Sequence, residues 1–286
     1  MDIDNISLKE EFEDKSLPYY RLKLELNSQA LIFHENSKFD YYQGRKTSIN
    51  IGGFNSAFFH ERASQPFKPY SYKKFFSFDD SKNESVVSNA NIFDLISKRR
   101  SIRKFAKYPI TKPELYSLCH YSYGVHDRQK IRELEIGEWC YRAVPSGGAL
   151  YPLEIYIVLF DSEFEPGLYH YRPDINGVEL LEKGNFYHSL KDQIKAEPVV
   201  DLKNSSGVFL ISSIYERNMI KYGDRGYRFI LQEVGHVGMN FSLVCEAIGL
   251  GSCMVGGYFD NDVNSFIGLD GTSEAIQSVI VFGKKL

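Results

Sequence analysis

Pro145-Ser146-Gly147-Gly148-Ala149-Leu150-Tyr151-Pro152 runs straight into Leu153-Glu154-Ile155-Tyr156-Ile157-Val158-Leu159-Phe160. The second half is β-branched and aromatic and reads as a buried strand. The first half is a loop. Its paired glycines let backbone approach a ligand closely, and its N–H groups suit an anion or a carbonyl. A plain connecting loop has the same composition, so the stretch alone leaves both readings open. No Gly-Lys-Ser/Thr follows, which excludes a Walker-type phosphate loop.

Downstream, Gly167 to Arg172 and Val178 to Leu181 flank Pro173-Asp174-Ile175-Asn176-Gly177, the pattern of a hairpin. Val208 to Ile211 predicts another buried strand, and Ile276 to Phe282 a closing one. Between them Ile230, Val234, Val237, Phe241, Val244 and Ile248 step by four and three. That spacing predicts a long helix over 226–248, with an apolar seam for packing another helix, ended by Gly249-Leu250-Gly251. Upstream, Asn91 to Arg100 predicts a short helix with Ile92, Leu95 and Ile96 on one face. Thr111-Lys112-Pro113-Glu114 opens another with capping-box spacing, followed by apolar Leu115, Leu118 and Cys119. Interleaved helices and strands with one hairpin give an α/β or α+β class with a mixed sheet.

Residues 1 to about 88 read as irregular and rich in Tyr, Phe, Ser, Asn and Lys, with one poorly periodic helix near Tyr20 to Phe33. Residues 79–89 read as a linker. The expected division is an N-terminal extension over 1–88 and a regular domain over 89–286. An aromatic-rich extension suits docking to a partner, although wrapping its own domain explains it as well.

Composition closes several routes. Hydrophobic residues make up 43% and charged ones 25% of 286 residues, as in an ordinary globular protein with a sizeable core. A net charge of -3 gives no broad pull toward nucleic acid or an anionic membrane. The apolar run Leu153 to Phe160 is far too short to span a bilayer. The acidic start Met1-Asp2-Ile3-Asp4 is unlike a signal peptide. Cys119, Cys140, Cys245 and Cys253 lack metal-type CxxC spacing and read as free thiols, so the cytoplasm is the expected compartment and no metal site is expected.

Three further clusters carry chemistry. Arg99-Arg100-Ser101-Ile102-Arg103 puts three guanidiniums and a hydroxyl at a helix end, where Arg forks match phosphate oxygens. A solvated basic helix end reads the same way. Lys221-Tyr222-Gly223-Asp224-Arg225-Gly226-Tyr227-Arg228 holds two weak acids that serve as acid or base once their pKa values move. The alternative is a Tyr-anchored helix start with surface cations. Glu233 and His236, at i and i+3, have metal-ligand spacing but no second copy, so a packed, hydrogen-bonded pair is expected. The stretch Gly249 to Gly257 does not fit GxGxxG, so no NAD domain is expected.

The order of these segments is more specific than any one of them. Arg-Arg-Ser-x-Arg at 99–103, Pro-Ser-Gly-Gly-Ala-Leu-Tyr-Pro at 145–152, Lys-Tyr-x-x-Arg-Gly-Tyr-Arg at 221–228 and Gly-Leu-Gly-Ser to Gly-Gly-Tyr at 249–258 together resemble the SagB-type (microcin-type) branch of the nitroreductase superfamily. The resemblance covers about 91–283, with a loose likeness around Phe33 to Lys38. It implies an α+β fold with a mixed sheet flanked by helices, and a homodimer with FMN at the subunit interface. Arg99, Arg100, Ser101 and Arg103 match the segment holding the FMN phosphate and flavin edge. Pro145, Ser146, Gly147 and Gly148 match the loop along the isoalloxazine. Gly251, Ser252, Val255 and Gly256 match the segment passing the reactive nitrogen, and Lys221 and Tyr222 the catalytic pair. The sequence stops soon after Gly283-Lys284-Lys285, where wider relatives carry a further phosphate-binding segment; Lys284 is the stand-in it offers.

The implied reaction is oxidation of peptide thiazolines or oxazolines to thiazoles or oxazoles, with an azoline-containing precursor peptide as substrate and cyclodehydratase subunits as partners. Neighbouring residues on regular structure diverge. Lys221 and Tyr222 are therefore expected at a loop or helix start, with Tyr222 closer to the ring and Lys221 lowering its pKa. A generic NAD(P)H-dependent nitroreductase and a flavin-free scaffold subunit are the competing readings.

Overall fold

The run after Pro152 folds as the strand Leu153–Leu159, with all of its residues buried. A computed structural model of the chain describes residues 29–39, 41–54, 56–80, 90–131 and 137–286. The chain divides into compact units at Met1–Tyr41 and Tyr42–Leu286. In the first, Gln29–Asn36 is helix α1; the expected helix near Tyr20 to Phe33 otherwise lies outside the described residues.

The second unit runs in chain order as α2 (Tyr41–Gly53, whose first residue falls at the division), α3 (Ala57–Ala63), β1 (Lys74–Ser77), α4 (Ile92–Lys98), β2 (Phe105–Ala106) and α5 (Lys112–Tyr123). It continues with β3 (Val125–Lys130), β4 (Glu138–Arg142), β5 (Leu153–Leu159), β6 (Gly167–Arg172), β7 (Gly177–Lys183) and α6 (Tyr187–Gln193). Then come β8 (Gly207–Ile214), α7 (Tyr215–Tyr222), α8 (Asp224–Ala247), β9 (Leu250–Val255), α9 (Asp260–Ile267) and β10 (Glu274–Lys285). Strand β1 and helices α2 and α3 fall where the sequence reading put an irregular extension over 1–88. The folded unit therefore begins well before residue 89. Most of the expected linker, 81–89, lies outside the described residues.

The main sheet has the order β1-β7-β6-β5-β8-β10-β2, with β9 also paired to β10. Its ladders are antiparallel; among the described residues parallel pairing is confined to isolated bridges such as Ser101 with Ser252. Side chains alternate across a strand. Ile155 and Ile157 thus join one core with Leu115, Leu118, Ile230, Val237 and Phe241 from α5 and α8. Tyr156 and Val158 join a second core with Leu190 of α6 and Val263 and Ile267 of α9. Helices on both faces account for the unbroken apolar run that marked β5.

Local signals explain the helix ends. Thr111 Oγ1 accepts the Glu114 N–H at 3.3 Å and Glu114 Oε2 accepts the Thr111 N–H at 2.9 Å, the reciprocal capping box at the start of α5. Such a cap stabilises by about 1 kcal/mol. Asn91 Oδ1 accepts the Phe93 N–H at 2.8 Å and opens α4. The seam on α8 packs on the sheet of its own chain: Ile230, Val237 and Phe241 are fully buried there. It is therefore not a free face for another subunit, which the spacing alone left open.

Candidate functional site

Helix α7 ends at Tyr222 because Gly223 follows with φ 56°, a conformation that favours glycine. The Gly223 N–H closes the last turn on Met219 O at 2.7 Å, and α8 begins at once. Lys221 and Tyr222 thus sit at a helix end, not at a helix start or in a loop. Both nevertheless reach the glycine loop. The position that a Cβ would take on Gly148 lies 2.5 Å from Tyr222 Oη and 3.2 Å from Lys221 Nζ. Adjacent helical residues diverge by about 100°, but these side chains are long and no further turn of α7 separates them. Tyr222 is the nearer of the two to Gly148. Gly148 itself has φ 68°, so the loop takes a shape that other residues adopt only with strain.

Residues from elsewhere in the chain complete the surroundings. The Phe229 ring lies 3.0 Å from the position of a Cβ on Gly147 and packs edge-on to Tyr222, with centroids 5.1 Å apart. Lys221 Nζ lies 5.7 Å from the Phe54 ring centroid, a cation–π contact. Burial pushes the Lys221 pKa down and the Tyr222 pKa up. The second shift is opposite to the expected lowering of Tyr222 by its lysine, because burial disfavours the charged phenolate. Burial thus makes the Lys221 amine a weaker holder of its proton and the Tyr222 phenol a firmer one than each is in water.

Two buried networks hold this corner. Arg217 of α7 pairs with Glu154 of β5 at 2.6 Å and donates to Tyr151 O at 3.2 Å, which fixes the helix to the sheet. Glu154 also accepts from His170 Nε2 at 2.8 Å, and His170 Nδ1 reaches Glu179 at 3.3 Å. Burial would raise the Glu154 pKa, but Arg217 and His170 override it and hold the carboxyl at about 2. Behind the loop, Tyr123 Oη donates to Glu233 Oε1 at 2.7 Å. Ser146 Oγ accepts the Tyr151 N–H at 2.9 Å. Burial raises the Glu233 pKa to about 7 against hydrogen bonds from Ser146 and Tyr123. Glu233 is thus turned inward, while His236 is exposed; they do not form the packed pair expected from their spacing.

The remaining expected residues gather elsewhere. The Ile102 N–H donates to Ser252 O at 2.9 Å, and a Cβ on Gly251 would lie 2.7 Å from Ile102 Cβ, so the 99–103 segment lies directly on β9. Among the described residues neither Arg99 nor Arg103 pairs with a carboxylate. Arg100 differs: its Nη1 folds back to Ser97 O at 2.9 Å and Arg99 O at 2.7 Å, capping its own helix end. Val255 closes β9, and the Cβ position on Gly256 meets open space. Lys284 Nζ lies 5.2 Å from the Tyr108 ring centroid and beside Gly249. Lys285 is paired with Glu246 at 2.7 Å.

The structure thus forms two groups. Phe229 marks the first on α8. Ser242, which accepts from Ser252 Oγ at 3.3 Å, marks the second. Thirteen helical residues separate them, about 20 Å along the axis. Strand β9 runs back along α8 between them, with Met254 3.0 Å from the Cβ position on Gly238. Among the described residues no cluster of His, Cys, Asp or Glu could hold a metal ion, and no helix is long and apolar enough to cross a membrane.

The nitroreductase family model matches residues 96–284. The chain belongs to the nitroreductase family. A nitroreductase-family protein of Methanocaldococcus jannaschii is 32% identical over 182 residues, 63% of this chain and 86% of that one. The microcin B17-processing protein McbC of Escherichia coli is 32% identical over 147 residues, 50% of this chain and 54% of McbC, so the chain spans about half the length of that relative. The Escherichia coli microcin synthetase McbBCD complex, solved with a truncated precursor bound, shares the fold: 23% identity, TM-score 0.55, covering 87% of this chain and 98% of the matched one.

Proposed function

We propose that this chain uses bound FMN to oxidise thiazoline or oxazoline rings in a precursor peptide. The observation that carries this reading is the convergence of Lys221 and Tyr222 on Gly148 in a relative of a microcin-processing protein. The residues fit a flat anionic cofactor. Gly147 and Gly148 leave free the space a side chain would fill against Phe229 and Tyr222; Arg99 and Arg103 flank Ser101, which bridges to Ser252, and among the described residues neither pairs with a carboxylate. Arg99, Ser101, Arg103 and Ser252 would hold the phosphate, and Pro145 to Gly148 with Gly251 to Gly256 the ring system. FMN would supply a two-electron acceptor for the ring hydrogen.

The chain supplies the proton transfer. An azoline becomes aromatic by losing two electrons and two protons, so a base must meet a ring C–H. Lys221, whose pKa burial lowers and which pairs with no carboxylate among the described residues, takes that proton. Tyr222 keeps its own and donates a hydrogen bond that orients the ring. We further propose a homodimer, in which the partner brings the second residue group to the first, and docking to the cyclodehydratase subunits that form the ring.

The test is mass spectrometry of a cyclised peptide incubated with the flavin-loaded protein. A loss of about 2 Da per ring is the stoichiometric expectation. Lys221→Ala and Tyr222→Phe should lower the rate about 10²–10⁴-fold with flavin absorbance intact. Bleaching by NADPH without any change in peptide mass would favour a general nitroreductase, and absence of flavin a scaffold role.

A further inference from the structure

Helix α7 has a second face. Lys221 turns toward Gly148, while Ile220 and Arg217 line a cavity of about 860 Å³ between α7 and α3. Its wall is aromatic: Phe54, Phe58, Phe59 and Phe67 meet Leu150 and Ile220 across it. Phe58 is 68% exposed and Ile220 48% exposed, so apolar surface faces water where the chain could have placed polar groups. Neither core cluster includes these residues.

We infer that this groove binds the peptide segment next to the ring and selects uncharged, apolar side chains there. The inference rests on the reading that the substrate is a peptide. Two observations set the occupant. The first is continuity with the reactive pair: Phe54 is both groove wall and cation–π partner of Lys221, and Leu150 lies two residues beyond Gly148. A chain with its ring at Lys221 and Tyr222 places its neighbours in the groove. The second is charge. Lys68 is held by Glu274 at 2.6 Å and Arg217 by Glu154 at 2.6 Å, so both are neutralised within the chain. Glu61, Arg62 and Glu216 remain at the lining with mixed sign. Both signs are present, so neither an acidic nor a basic segment meets a surface of uniformly opposite charge. A charged side chain would lose water without a dedicated partner, whereas an aromatic or aliphatic one gains contact with four phenylalanines. The volume suits the side chains of a short extended segment.

The test uses the full flavin-loaded chain and a short fluorescein-labelled peptide of Gly, Ser, Phe and Leu, read by anisotropy. Its counterparts carry Glu or Lys in place of Phe and Leu. The apolar peptide should bind roughly ten- to hundred-fold more tightly, the range that burying one large side chain gives. Phe58→Glu and Ile220→Glu, both at exposed positions, should each weaken it at least about tenfold, with flavin absorbance and melting temperature unchanged. Phe58→Ala and Ile220→Ser should do so in the same order should a glutamate disturb the fold. Equal binding of the charged peptides, no binding of the apolar one, or binding indifferent to all four substitutions overturns the inference. The last two results are those expected if a segment of this chain or a second copy fills the groove. Groove-dependent binding without oxidation of any azoline would sink the proposed reaction and leave the groove standing. Oxidation with a KM unmoved by the substitutions would do the reverse.

Discussion

Glu233 shows how one buried group sets a pH window. It faces Tyr123, Ser146, Arg142 and Arg217, and burial carries its pKa from the ordinary carboxylate range up to about 7. In the unfolded chain the carboxyl ionises near 4.5. Between those values the folded state holds a proton that the unfolded state has lost. Stability therefore falls as pH rises from about 4.5 to about 7, by at most about 3 to 4 kcal/mol at 1.36 kcal/mol per unit. Glu154 has the opposite sign: held at about 2, it stabilises above its unfolded pKa and loses that contribution as pH falls. The two windows do not overlap. Thermal unfolding across pH should show the decline above 4.5 in the wild type and a flatter curve in Glu233→Gln; equal slopes would remove the assignment. Glu233 was visible in the sequence beside His236, but its role was not. Positions three apart differ by about 60° around a helix, enough to bury one and expose the other at a stripe edge. The partner that fixes Glu233, Tyr123, lies 110 residues away in sequence.

Among the elements, legibility follows how far each is determined by its own residues. Strand β5, the β6–β7 hairpin, the cap of α5 and the helical period of α8 carried strong local patterns and formed as expected, although the α8 seam packs on its own sheet. Strands β3 and β4 did not, because Val125-His126-Asp127-Arg128-Gln129-Lys130 has no apolar alternation; its pairing with Glu138–Arg142 makes it a strand. Helix α7 has eight residues, fewer than an isolated helix needs, and leans on Arg217 pairing with Glu154. This explains why Lys221 and Tyr222 were legible as a motif while their place at a helix end was not. The glycine loop and α7 are fitted to each other, and Gly148→Ala tests the fit. The new methyl would meet Tyr222 Oη at 2.5 Å in a left-handed backbone conformation. The backbone cost is about 1–2 kcal/mol. Because Tyr222 must move, the fall in oxidation rate should exceed what that loss of stability explains. Gly44→Ala, on a helix with nothing within 4 Å, should leave both unchanged or slightly raise stability. Equal rates for the two variants would show that the contact has no part in catalysis.

For the whole molecule, the question is what covers the outer side of α8. The apolar seam of α8 is spent on the chain's own core, yet Leu231, Gly235 and Met239 on α8, Phe93 and Ile96 on α4, and Met254 on β9 are exposed. Phe93 is 74% exposed, a poor place for a phenylalanine in a chain that stays alone. A stable interface needs about 800 Å² from each partner, more than a few side chains give, so α4, α8 and β9 would have to contribute together. These elements also run between the two residue groups assigned to the cofactor, about 20 Å apart along α8. A second copy on this face therefore offers both a cover for the apolar patch and a way for residue groups of different chains to meet around one flavin. The prediction follows from that coupling. Met239→Glu with Phe93→Glu places two carboxylates in the patch without touching the proposed cofactor ligands. Light scattering should give the mass of a dimer for the wild type and of a monomer for the double variant, and flavin absorbance should fall with the dimer fraction. A wild-type monomer that retains flavin would place the cofactor within one chain. A monomeric variant that keeps its flavin would separate assembly from cofactor binding, and the two residue groups would then have to be bridged along β9 alone.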